Sequence, residues 1–169
     1  MNKSKFLNNA RKALYTSAFT LIGACAIQTS VHAQQPTQQP AQQMYTISGD
    51  GSSSQVMPTV KGNGTGTFKG TFDPATRELR YTTTWDKLSG APNNAGFYTG
   101  ASRSNGKAVG DTWTLGNNLT PTGTYTGTMT LTEDQSKDLL AGNWYYSYGT
   151  ATNSAGELRG QISAKPGGQ

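Results

Sequence analysis

Nucleophilic and metal-based chemistry draws first on imidazole and thiol, and the chain holds one of each, His32 and Cys25. Both lie before residue 34, so the segment 34–169 contains neither group. Without them a Ser-His-Asp or Cys-His arrangement has no base, and zinc, copper or haem iron has no nitrogen or sulfur donor. No cofactor is expected, and no catalytic residue is assigned. The remaining acids, Asp50, Asp73, Glu78, Asp86, Asp111, Glu133, Asp134, Asp138 and Glu157, are scattered. A glycosidase needs two carboxyls facing across a cleft, so an enzyme or metal-binding protein working through oxygen ligands is the alternative to a non-enzymatic protein. Asp73 reads as a turn residue, and Glu157 with Arg159, two apart on one strand face, as a surface ion pair. The run Gly62-Asn63-Gly64-Thr65-Gly66 is not a phosphate loop, because neither Lys-Ser/Thr nor a helix follows it. Asp50-Gly51-Ser52-Ser53 is rich in oxygen but lacks the acidic spacing of a calcium loop.

Aromatic side chains offer the other candidate chemistry, since rings on a strand face can bind sugars or peptides. Trp144, Tyr146 and Tyr148 alternate on one face with Tyr145 on the other. Core packing is the reading for Trp144 and Trp85, whereas Tyr98, Trp113, Tyr146 and Tyr148 form a possible binding surface.

These residues need strands to position them. Thr and Gly dominate segments 44–48, 64–72, 78–86, 96–98, 112–115, 123–132, 144–150 and 157–163, which alternate polar with apolar or are rich in β-branched and aromatic residues. Asp73-Pro74-Ala75-Thr76 predicts a tight turn with Pro in its second position and a hairpin around it. One helix is expected: Thr132 caps it by accepting from the amide of Gln135, Glu133 and Asp134 favour its first turn, Leu139 and Leu140 anchor it, and Gly142 ends it. The sum is an all-β, antiparallel β-sandwich with one short helix before the penultimate strand.

Domain organisation follows from composition. Residues 1–33 read as a signal peptide, with a basic start (Lys3, Lys5, Arg11, Lys12), an apolar stretch from Ala13 to Ile27 and a cleavage site at Val31-His32-Ala33. In the competing reading Ile22-Gly23-Ala24-Cys25 is a lipobox and Cys25 is lipidated, which would place the protein on a membrane. Residues 34–43 form a Gln/Pro-rich linker with too little apolar surface for a core; 44–165 form the domain and 166–169 a tail. The formal net charge of +5 resides mostly in the leader, because four of the 14 Lys and Arg residues and none of the nine acids precede Ala33. The remaining ten cations are dispersed, which argues against nucleic acid as a partner. No transmembrane span is expected in the mature chain.

Two blocks in this order, GTGTFKGTFDPATRELRYTTTWDKLSG and LTEDQSKDLLAGNWYYSY...GELRGQI, resemble the chordin-type (CHRD) domain family over roughly residues 45–164. The resemblance implies a Greek-key β-sandwich similar in outline to copper/zinc superoxide dismutase. Many bacterial members carry an H-x-H pair and a third His, and position matching places these on Gly96, Tyr98 and Gly149. The resemblance therefore implies a member whose metal site is lost, with Tyr98 near the surface of the vestigial site. The expected function is a secreted or periplasmic binding or structural module of the cell envelope, with an unknown protein or glycan as partner.

Overall fold

The computed structural model describes residues 43–168; the leader with Cys25 and His32, nearly all of the Gln/Pro linker and Gln169 lie outside the described residues. Strand β1 (Tyr45–Ser52) runs into a 3-10 turn at Ser53–Gln55, and β2 (Thr65–Asp73) and β3 (Glu78–Asp86) complete an antiparallel meander. Their alternation has a physical consequence: Phe68 and Phe72 of β2, and Leu79, Tyr81 and Trp85 of β3, point inward. Thr67, Thr82 and Thr84 face outward and bond across strands, as Thr67 does to Thr84 (2.9 Å), whereas Thr83 is buried on the inner face. The expected hairpin turn is present. Asp73 accepts from the Ala75 amide (2.9 Å), and Arg77 closes the loop with φ +57°.

β4 (Pro92–Thr99) follows, longer than its apolar signal, and pairs with the two-residue β5 (Ala108–Val109). The strand expected at 112–115 is absent. Gly110, at φ +69°, breaks the β5 ladder, and Trp113 keeps only a backbone bond to Ala95 (2.8 Å) while its ring turns inward to stack on Tyr125. β6 (Gly123–Thr130) pairs with β3 and leads into α1 (Glu133–Leu140). Helix α1 starts with the expected cap: Thr132 accepts from Gln135 (3.2 Å), and the Gln135 side chain accepts from the Thr132 amide (2.8 Å). It ends in a Schellman motif, with Asn143 N–H donating to Asp138 O and Gly142, at φ +74°, donating to Leu139 O. Leu139 is fully buried and docks the helix.

β7 (Trp144–Thr150) is buried along its whole length. The last expected strand divides at Ile162, whose amide bonds Trp144 O, giving β8 (Leu158–Gln161), paired with β7, and β9 (Ser163–Pro166), paired with β1. The sheet order is β5-β4-β7-β8-β1-β2-β3-β6, one continuous hydrogen-bonded path rather than two separate sheets. The path curls until its halves face each other. Phe97 of β4 meets Tyr81 of β3 at 4.9 Å, and Trp85 of β3 meets Tyr148 of β7 at 5.0 Å between ring centroids. Burial of these rings is the main source of stability.

Candidate functional site

The alternation of β4, β7 and β8 divides their side chains between two faces. Phe97, Trp144, Tyr146, Tyr148 and Leu158 enter the core. Gly96, Tyr98, Tyr145, Ser147, Gly149 and Arg159 occupy the outer face, where the register sets Tyr98 opposite Tyr145, Gly96 opposite Ser147 and Ser147 opposite Arg159. That face is not open to solvent. The segment 53–58, the loop 100–106 and the turn 153–156 lie over it, and Asn105 ties two of the covers together by donating to Met57 O (2.7 Å).

Arg159 organises the covered face. It is 3% exposed, its guanidinium carbon lies 3.9 Å from the Tyr145 ring centroid, and Tyr145 in turn stacks on Tyr98 at 5.3 Å. Its Nη atoms donate to Gln55 O (3.3 Å), Ala101 O (2.9 Å), Ser104 O (3.0 Å) and Gln161 Oε1 (3.1 Å). Burial lowers the guanidinium pKa, because the charged form is the one desolvation disfavours. Burial, and then the neighbouring Tyr145, raise the pKa of the Tyr98 phenol, which stays protonated at neutral pH. Two cavities adjoin Arg159. One, of about 230 Å³, is lined by Ser54, Gln55, Met57, Thr59, Ser102 and Arg103; the other, of about 290 Å³, lies beside Tyr98, Tyr145 and Asn105 under Met57 and Pro58.

The aromatic binding surface expected from the sequence does not form as a unit. Tyr146 and Tyr148 are fully buried and Trp113 is 8% exposed, so these three are core residues; Trp113 borders a separate cavity beside Tyr125, and of the four only Tyr98 walls the cavity next to Arg159. The reason is that β7 is covered on both sides, by the facing half of the sheet and by the overlying loops. Nor do Glu157 and Arg159 form a surface pair. Glu157 is 1% exposed and accepts from Ser89 N (2.6 Å), Ser89 Oγ (2.6 Å) and Thr150 Oγ1, away from Arg159. Two-residue alternation holds only inside the strand, and Glu157 precedes β8 directly after Gly156, whose φ is +136°. Burial raises the Glu157 pKa, but the hydrogen bonds from Ser89, Thr150 and Asn153 outweigh it and hold the carboxyl below its usual range.

Gly96, Tyr98 and Gly149 share the outer face but not one point on it. Gly149 pairs with Asn94 and Tyr98 with Tyr145, so the two are offset by four residues, about 13 Å along the strand. A Cβ at Gly96 would meet nothing closer than 3.9 Å, whereas at Gly149 it would lie 2.6 Å from the Asn94 amide and 2.8 Å from Ser154 O. A glycine, a phenol and a second, closed glycine do not fit a transition-metal centre. Among the described residues no group of three or more His, Cys, Asp or Glu side chains is placed to hold a metal ion. Sequence reasoning placed Arg159 in a surface pair, and no local signal marks it as covered, because the carbonyls that hold it come from Gln55, Ala101 and Ser104, more than 50 residues away.

Antiparallel strands curled around a ring-filled core, one short capped helix and a polar cleft on the outer face define the described residues as a β domain. Compared with known families, residues 47–162 match the CHRD domain, and the chain belongs to that family. No curated protein and no solved structure matches it. Among the described residues no helix is long and apolar enough to cross a membrane.

Proposed function

We propose that this CHRD-domain protein is a non-enzymatic binding module of the cell envelope, exported to the periplasm or beyond, with the cleft around Tyr98 and Arg159 as its ligand site. One observation carries the reading: the polar side chains of separate elements that converge on this cleft are hydroxyls, amides, the phenols of Tyr98 and Tyr145 and the guanidiniums of Arg103 and Arg159. Such a set recognises a ligand by hydrogen bonding and ring contact, and offers neither an activated nucleophile nor a base. The leader supports export, with Gln34 as the first mature residue. Mass spectrometry finding a diacylglyceryl Cys25 would instead anchor the module to a membrane.

The test is capture from envelope extract and on a glycan array by the full chain as the cell processes it, beside its Tyr98→Ala counterpart. A protein or glycan retained by the wild type and lost by the variant supports the module. Turnover of a peptide, ester or glycoside, or near-stoichiometric metal in protein purified without chelator, would overturn it.

A further inference from the structure

We propose that the cavity between the 54–59 segment and the 102–103 loop is an oxyanion site, with Arg159 at its base and Arg103 at its rim, and that the ligand of the module presents a carboxylate, phosphate or sulfate group there. The inference rests on the binding-module reading and specifies its ligand. Arg159 is a nearly fully buried cation whose four acceptors, three backbone carbonyls and the Gln161 amide oxygen, are all neutral. Its buried Nε has no hydrogen-bond partner. Ion pairs among the described residues join Arg80 to Glu78, Lys87 to Asp86 and Lys137 to Glu133 and Asp134, none of them near Arg159. Removing a charge from water without an opposite charge is unfavourable, and carbonyl dipoles offset that cost only in part. An anion in the adjoining cavity would supply the missing charge.

The lining of that cavity agrees. Arg103 is a second guanidinium at the same 230 Å³ space, and Ser54, Thr59 and Ser102 bring hydroxyl donors beside the Gln55 amide, with no carboxylate to repel an anion. Planar guanidinium forks match oxyanions in geometry as well as charge. The volume holds a charged head group with a few attached atoms and is below the size of pockets that enclose a drug-sized ligand. The rest of the ligand would continue into the neighbouring cavity, which shares Met57 and Arg159 and is walled by Tyr98 and Asn105.

Because Arg159 also clasps the loops to the sheet, Arg103→Gln is the primary variant and Arg159→Lys the second. The full chain is titrated with sodium acetate, inorganic phosphate and sodium sulfate, with chloride holding ionic strength constant, and binding is followed by amide chemical shifts and calorimetry. Saturable binding of at least one anion is expected, with shifts centred on residues 54–59 and 101–104. Arg103→Gln, with an unchanged melting temperature, should weaken it about tenfold or more, as loss of one charge-assisted contact does. Acetate as the tighter probe assigns a carboxylate ligand, and phosphate or sulfate a tetrahedral one. Absence of saturable binding by all three, or equal binding by Arg103→Gln, refutes the site. If the anions fail while Tyr98→Ala still loses a captured partner, the oxyanion inference falls alone; if the anions bind and no partner is captured, the module reading is the one that fails.

Discussion

Glu157→Gln tests whether the buried carboxylate holds the β3–β4 connection to the end of β7. The charged group accepts hydrogen bonds at 2.6 Å from both the amide and the hydroxyl of Ser89, and another from Thr150. Glutamine keeps the shape but replaces charge-assisted bonds by neutral ones, each weaker by about 1 kcal/mol, and returns part of that by easing the burial of charge. The net loss is about 2 kcal/mol, or roughly 6–10 °C in melting temperature for a domain of this size. The sign of the pH dependence is fixed by the lowered folded pKa. The contribution is complete above the unfolded value, about 4.3, and is lost as pH falls through the folded value. Thermal melts of wild type and variant from pH 7 to pH 3 should therefore show a full gap at neutral pH that closes in acid. A variant melting within about 2 °C of wild type at pH 7, or a gap that is the same at both ends of the range, would refute the reasoning.

Leu139→Asp should unfold the domain or destabilise it by about 4 kcal/mol or more, since it places an unpaired charge where the helix is fully buried; a circular-dichroism melt close to wild type would mean that α1 is not docked. Tyr146→Phe should melt at or slightly above the wild-type temperature, because the Tyr146 hydroxyl is buried without a partner; a loss of several degrees would reveal a bond to that oxygen. Gly96→His with Tyr98→His should bind zinc only weakly, and adding Gly149→His should cost about 1–3 kcal/mol through the clash with Asn94 while gaining no affinity. Calorimetry finding tight zinc binding by the triple variant alone would show that the three positions converge after all.

What the sequence made legible was local. The Asp73-Pro74 hairpin and the Thr132, Gln135 and Gly142 signals of α1 each depend on residues within a few positions, and the structure contains them as expected. The curl of the sheet depends on which loops lie over which strands, and alternation does not encode that. Tyr146 and Tyr148 thus read equally well as a platform or as core until the cover over β7 is known. Trp113, expected at a binding surface, was hidden differently: it is a core ring supplied by an irregular segment, where no alternation marks an inward face. Arg159 and Glu157 were misread together because Glu157 lies before β8 starts at Leu158, directly after Gly156 at φ +136°, so the strand alternation does not include it.

The position of β1 carries a last consequence. The first strand among the described residues lies inside the sheet, with β2 along one side and β8 and β9 along the other. Residues 45–130 alone would therefore leave that inner strand with an open flank and the aromatic core without Trp144, Tyr146 and Tyr148. Contacts so distant in sequence form late. In synthesis from the N-terminus, β1 emerges long before the β8 and β9 that flank it, so among the described residues this strand order leaves the sheet incomplete until residues 158–166 have been made.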